Sequence, residues 1–223
     1  WGCSKVSPGC DRCYSERLNK RLGNGRDFSG KWEFVLKDRE LEGLLKLKGS
    51  QRIFMCDMTD MFHSDVPWDM IGRVFDVMMA CPQHTFQVLT KRPGNMAAFA
   101  EWWTDLHCKE WPPWIWAGTS LEQMEVRSGS YTKRLTGRLD CLARVPAKVR
   151  FVSAEPLLGP LDLLPYFHKC SCREKPCVCK GLAIHQVIVG GESGPGARPM
   201  HPDWARGLRE QCQHVGAAFF FKQ

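Results

Sequence analysis

The sequence Ile53-Phe54-Met55-Cys56-Asp57-Met58-Thr59-Asp60 is an apolar run that becomes polar at its end. A short apolar run of this kind is typical of a strand buried on both faces of a parallel sheet. A helical pattern follows, because large apolar side chains recur near helical spacing at Trp68, Ile71, Phe75, Met78 and Met79. The segment therefore predicts one strand, a polar loop and one covering helix.

The same unit recurs along the chain. Further strands are predicted at residues 85–90, 114–118, 149–153, 185–189 and 217–221, and further helices through Phe99 and Trp103, around 133–142 and over 202–214. Strands that alternate with helices indicate a parallel sheet covered by helices. The alternation over 1–223 predicts a single α/β domain, a complete or partial (β/α) TIM-type barrel rather than a doubly wound sheet.

Polar or glycine-rich tails follow five of these strands, at residues 57–60, 90–92, 118–122, 153–156 and 190–194. The carboxyl ends of the strands meet at one rim of a barrel, where active sites lie. Helix capping explains any one tail taken alone. Helix capping does not require a Lys-Arg pair or a buried glutamate. The five tails together therefore predict a functional site.

Three cysteines, Cys3, Cys10 and Cys13, form the pattern Cys-x6-Cys-x2-Cys, and Tyr14 follows directly at the start of a helix-like stretch. Structural zinc sites usually have four protein ligands, so three clustered thiols predict a metal centre with one open position. The chain has 12 cysteines, and their clustering favours metal binding in a reducing cytoplasm over disulfides.

A second cysteine group, Cys170, Cys172, Cys177 and Cys179, lies in an inserted loop at about 165–181. Four thiols so close together are able to close a tetrahedral zinc site or to hold an auxiliary iron–sulfur cluster. Zinc is the expectation, because a short loop protects an iron–sulfur cluster poorly. A reduced loop without metal is the alternative.

The net charge of +7 permits an anionic partner such as nucleic acid, although scattered basic residues also fit a solvated surface. No apolar run approaches the length of a membrane span, and no signal-peptide pattern precedes the cysteines. We therefore expect a cytoplasmic protein without a membrane partner.

Six motifs in order resemble the phage and bacterial three-cysteine radical SAM-like family. They are the segments 7–14, 57–63, 89–93, 150–158, 190–194 and 219–223. The resemblance spans almost the whole chain. The first cysteine gap is three residues longer than in the commonest radical SAM spacing, Cys-x3-Cys-x2-Cys.

The resemblance implies a [4Fe–4S] cluster on Cys3, Cys10 and Cys13 and a bound S-adenosylmethionine. An external electron donor would reduce the cluster, and cleavage of S-adenosylmethionine would give a 5′-deoxyadenosyl radical that takes a hydrogen atom from the substrate. A phage-encoded chain would act in the host cytoplasm.

Chemical character suggests roles for the rim residues under this resemblance. Candidate catalytic cations are Lys91, Arg92 and Lys222. Candidate cofactor contacts are Tyr14, Asp57, Thr119, Ser120, Ser153, Glu155, Gly190, Gly191 and Glu192. Candidate substrate contacts are Asp60 and His63. The alternatives are a salt bridge for Glu155, helix capping before Pro67 for both aspartates, and a surface loop position for His63.

The expected substrate is a small molecule or nucleotide, foremost a modified nucleobase of phage DNA, with rearrangement by an isomerase or mutase as one outcome. The alternative function is a non-catalytic zinc-dependent nucleic-acid-binding module. That module needs a fourth ligand near Cys13, and the sequence offers no obvious one. A hydrolase with a single metal ion needs grouped histidines, and the 7 histidines are scattered.

Overall fold

The computed structural model describes residues 2–22, 28, 34–107, 110–167 and 184–222. The strands are β1 (Arg52–Met55), β2 (Thr85–Thr90), β3 (Ile115–Ser120), β4 (Glu125–Ser128), β5 (Tyr131–Arg134), β6 (Arg150–Ala154), β7 (Gln186–Val189) and β8 (Ala218–Phe221). The helices are α1 (Tyr14–Leu22), α2 (Asp38–Leu45), α3 (Trp68–Met79), α4 (Pro93–His107), α5 (Gly137–Ala143) and α6 (Pro202–Val215). Two short 3₁₀ turns span Pro8–Cys10 and Leu164–Tyr166.

Six of the strands form one parallel sheet in the order β1-β2-β3-β6-β7-β8, which is also their order along the chain. The sheet curls into a half-barrel with helices packed against it. The prediction of a partial α/β barrel is confirmed at this level. Among the described residues β1 and β8 each pair with one strand only, so the sheet does not close on itself.

The core lies between the sheet and its helices. Its aromatic centre consists of Phe75 from α3 with Phe99 and Trp103 from α4, all fully buried. The Phe75 ring centroid lies 4.9 Å from that of Phe99 and 5.7 Å from that of Trp103. Tilted aromatic pairs at these distances stabilise beyond simple burial of area. This packing fixes α3 and α4 against the sheet and so fixes the loops that precede them.

The β4–β5 hairpin and helix α2 are elements that the sequence did not predict. A helix was expected from about residue 133, but Tyr131–Arg134 pairs with Glu125–Ser128 instead, and the helix begins at Gly137. Strand β5 is exposed throughout, and Val126 is the one aliphatic residue of the two strands, so the hairpin lacks the apolar alternation that marks a strand. Its turn contains Gly129 at φ 57°, a backbone conformation that glycine adopts without strain.

Two further findings bear on the site. Gly2 forms an isolated parallel bridge with Thr59, so the chain leading to Cys3 lies beside the end of β1. No helix in the described part of the chain is long and apolar enough to cross a membrane. The second cysteine group, Cys170, Cys172, Cys177 and Cys179, lies outside the described residues.

The inner face of the sheet gives a stability prediction. A Cβ added at Gly118 would lie 2.3 Å from Cζ of the fully buried Phe151. We expect Gly118→Ala to lower the free energy of unfolding by about 1–3 kcal/mol, because the ring has to move in a packed interior. The matched control is Gly72→Ala in α3, where a Cβ meets nothing within 4 Å. That change should stabilise by about 0.5–1 kcal/mol in urea unfolding. Equal urea-unfolding midpoints for Gly118→Ala and Gly72→Ala would contradict this account.

Candidate functional site

A cavity of about 230 Å³ opens at the carboxyl ends of the parallel strands. One wall is the cysteine loop, by which we mean residues 3–13. The other walls come from the strand tails. Among the lining residues are Cys3, Cys10, Cys13, Tyr14, Asp57, Asp60, Lys91, Arg92, Ser120, Ser153, Glu155, Gly191, Glu192 and Lys222. The structure thus brings most of the candidate residues together in one cavity.

The cysteine loop has a defined backbone. Cys10 closes the 3₁₀ turn, its N–H donating to the Ser7 carbonyl at 2.8 Å, and the Cys13 N–H donates to the Cys10 carbonyl at 3.4 Å. Helix α1 begins at the next residue, Tyr14. Cys10 is buried, and Cys3 and Cys13 are partly exposed. All three thiols therefore reach the cavity from one short loop.

No three His, Cys, Asp or Glu side chains of the described residues are arranged to hold one metal ion. Thiolates that bind different irons of one cluster lie further apart than thiolates that share a single ion. Three cysteine side chains that line one cavity are a donor set of the kind that iron–sulfur clusters use. Cys13 Sγ lies 3.0 Å from Ser15 Oγ, within hydrogen-bonding distance.

Asp60 and Arg92 form a buried ion pair beside Cys3, with Arg92 Nη1 and Asp60 Oδ2 2.8 Å apart. The Thr90 hydroxyl donates to Asp60 Oδ1 at 2.6 Å. Arg92 Nη2 donates to the carbonyl and hydroxyl oxygens of Ser4 at 2.9 and 2.7 Å. Asp60 and Arg92 therefore hold the start of the cysteine loop in place. No side chain caps α3, so the capping alternative is wrong for both Asp57 and Asp60.

His63 lies behind the cavity wall and does not line the cavity. Its Nε2 is 2.7 Å from Ser4 Oγ, and the side chain is buried. The surface alternative for His63 is therefore wrong. Burial, with a contribution from the nearby Arg92, lowers the pKa of His63 below its usual value. Burial also raises the pKa of the Cys3 thiol, as does Asp60, while Arg92 opposes the change.

Glu192 lines the cavity but is already paired. Arg198 holds its carboxylate through Nε at 2.9 Å and through Nη2, and the Arg198 N–H also donates to it at 2.9 Å. Hydrogen bonding from Arg198 lowers the pKa of Glu192. Arg198 Nη2 also donates to the Pro8 carbonyl at 2.8 Å. Sequence reasoning missed this arginine, although it follows the Gly190–Gly191 tail closely.

Glu155 and Lys222 form an ion pair across the cavity rim, with Lys222 Nζ 3.2 Å from the Glu155 carboxylate. The salt-bridge alternative for Glu155 is thus the one found. Gly190 lies behind this pair, where an added Cβ would be 3.2 Å from Glu155 Oε1. The Tyr14 hydroxyl donates to the Asp57 carbonyl at 2.8 Å, and burial together with Asp57 raises the pKa of Tyr14 to about 12.

Ser120, Ser153 and Gly191 line the cavity, whereas Thr119 does not. The Thr119 hydroxyl is fully buried and donates to the Thr90 carbonyl at 2.8 Å, so it joins β3 to β2. Sequence reasoning singled out neither Ser4 nor Arg138. Ser4 follows Cys3 inside the cysteine loop, and Arg138 contacts the site from α5, outside the motifs.

One protein-family model matches residues 1–223, and its description is "Protein of unknown function (DUF5131)". No curated protein and no solved structure matches the chain. The family description assigns no activity, so a function has to be argued from the cavity.

The ion pair beside Cys3 yields a prediction. Asp60→Ala leaves the Arg92 guanidinium buried without its partner, and we expect a loss of about 3–5 kcal/mol in the free energy of unfolding. The control is Glu101→Ala, which breaks an exposed ion pair with Arg144. That variant should change stability by no more than about 1 kcal/mol. Urea unfolding measures both, and equal losses would show that the Asp60 pair is not a buried anchor.

Proposed function

We propose that this chain, which belongs to the DUF5131 family, is a radical S-adenosylmethionine enzyme built on a partial TIM-type barrel. The observation that carries the proposal is the position of three motif thiols in the cavity where the strand tails converge. When bound, the [4Fe–4S] cluster, supplied with electrons by an external donor, provides reductive cleavage of S-adenosylmethionine to a 5′-deoxyadenosyl radical.

The protein's own part is to bind and orient. The hydroxyls of Ser120 and Ser153 and the carboxylate of Glu155 suit the ribose hydroxyls of S-adenosylmethionine. Asp57 offers a carboxylate for the amino group, and we prefer it to Glu192, because Arg198 already neutralises Glu192. Glycine at 191 lets the backbone approach a ligand closely.

The walls also contain apolar side chains, including Val6, Phe54 and Leu89. Apolar walls exclude water, which protects a reactive intermediate. Lys91 and Lys222 place two ammonium groups at the rim, the second paired with Glu155, and ammonium groups suit an anionic substrate group such as phosphate. With the net charge of +7, this supports a nucleotide or a modified base in DNA as substrate.

The cluster assignment gives a direct prediction. Protein reconstituted without oxygen should contain about four iron and four sulfide per chain in this cavity, the composition of one such cluster. Replacing Cys3, Cys10 and Cys13 together by Ala should remove that iron and abolish release of 5′-deoxyadenosine. Iron analysis and chromatography of the reaction mixture measure the two effects.

The control for this experiment is Cys141→Ala, which removes a cysteine of α5 and should leave the iron content unchanged. Zinc in place of iron in anaerobically purified protein would contradict the proposal. That result would favour the zinc-dependent nucleic-acid-binding module.

The rim charge gives a second prediction. Lys222→Ala should lower substrate-dependent turnover by about tenfold, the effect of losing one charge-assisted contact. Slow cleavage of S-adenosylmethionine without substrate should change less. Lys148→Ala is the control, because Lys148 is exposed just before the amino end of β6, away from the cavity rim.

Nucleotides and DNA that carry a modified thymine are the first substrates to test. Deuterium at the reacting carbon should appear in 5′-deoxyadenosine. An equal fall in both rates for Lys222→Ala would argue against substrate contact by this cation. Absence of label transfer from every nucleotide and DNA probe would argue against a nucleobase substrate.

A further inference from the structure

Glu122 lies directly beneath the cysteine loop. It follows β3 and is fully buried. The Gly9 N–H donates to Glu122 Oε1 at 3.3 Å, and Gly9 immediately precedes Cys10. The Leu158 N–H donates to the Glu122 carbonyl at 2.8 Å, which ties the backbone of Glu122 to the tail of β6. The carboxylate thus has a fixed place below the loop.

Two cations keep this carboxylate charged. Arg138 Nη1 donates to Glu122 Oε2 at 2.8 Å and to the Ser120 carbonyl at 2.8 Å, so α5 is part of the same arrangement. Burial opposes ionisation, but Lys91 and Arg138 outweigh it, and the pKa of Glu122 is lowered from its ordinary value. A charged carboxylate in the interior is stable only with such partners.

Gly9 fits against this carboxylate because it has no side chain. A Cβ at Gly9 would lie 3.1 Å from both Cδ and Oε1 of Glu122 and 3.2 Å from Lys91 Nζ. Those distances are tighter than ordinary contacts, so an added side chain would require the loop or the Glu122 and Lys91 side chains to shift by a few tenths of an ångström. The position of Cys10 is therefore coupled to the Glu122 carboxylate through one residue.

We propose that Glu122 is a positioning residue that holds the cysteine loop in its metal-binding conformation. The inference rests on the proposed function for the identity of the metal centre, but not for the placement of the loop. A buried ion pair is often no more stabilising than apolar residues of the same volume, so stability alone does not explain a charge at this position. The hydrogen bond that the Glu122 carboxylate accepts from the Gly9 N–H does explain it.

The test compares Glu122→Gln with Glu101→Gln, which makes the same chemical change at an exposed site. Metal-free protein is alkylated with iodoacetamide, and the rate at each cysteine is read by mass spectrometry. A glutamine has one acceptor oxygen for the two donors, the Gly9 N–H and Arg138 Nη1, so Glu122→Gln should lose one hydrogen bond. That loss should speed alkylation of Cys10 by about fivefold, the factor for one net hydrogen bond. The rate at buried Cys212 in α6 should stay unchanged and reports global unfolding.

Iron retained after reconstitution should fall in Glu122→Gln and not in Glu101→Gln. Alkylation uses metal-free protein, so its result stands even if the bound metal proves to be zinc. An unchanged alkylation rate of Cys10 in Glu122→Gln would overturn the proposal. An equal increase in the rates of Cys10 and Cys212 would overturn it too, because it would indicate global unfolding.

A second variant pair keeps the test decisive if Glu122→Gln does not fold. Gly9→Ala alone should also speed alkylation of Cys10. Adding Glu122→Asp withdraws the carboxylate by one methylene and keeps its charge for Arg138 and Lys91. If Gly9 and Glu122 are coupled, the increase in the Cys10 alkylation rate of the double variant should be smaller than the product of the increases in Gly9→Ala and Glu122→Asp. Independent, multiplicative effects would show that Gly9 and Glu122 are not coupled, and would overturn the proposal.

Discussion

Parallel pairing of six strands, arranged in the sheet in their order along the chain, is the constraint on which the site depends. Every strand of such a sheet runs in the same direction, so every carboxyl end reaches the same rim. Helices of the described connections, such as α3 and α4, cover the apolar side of the sheet. Residues far apart in the chain, such as Asp57 and Lys222, therefore line one cavity.

Buried charge at this rim holds the cysteine loop. Arg92, paired with Asp60, donates to the Ser4 carbonyl. Arg198, paired with Glu192, donates to the Pro8 carbonyl, and Glu122, paired with Arg138, accepts from the Gly9 N–H. Three ion pairs thus each contact the loop backbone between Cys3 and Cys10. Removing one partner of a buried ion pair costs about 3–5 kcal/mol of stability. These three pairs therefore fix the backbone of the cysteine loop.

Sequence patterns predicted the six strands of the parallel sheet, because strands such as Arg150–Ala154 are buried along most of their length. The β4–β5 hairpin was missed because its two short strands contain no apolar run. The strand tails indicated which residues reach the rim, but not which charges are neutralised there. Pairing depends on contacts such as Glu155 with Lys222, 67 residues apart, that no local pattern encodes. Glu192 shows the same limit, since its carboxylate binds Arg198 rather than facing the cavity free.

The central claim is that the cysteine loop carries a cluster with one iron open to S-adenosylmethionine. Electron paramagnetic resonance of the anaerobic, reduced protein tests it most directly. The account predicts the signal of a reduced [4Fe–4S] cluster and a change in that spectrum when S-adenosylmethionine is added. A cluster signal that does not respond to S-adenosylmethionine, or no cluster signal from iron-loaded protein, would contradict it.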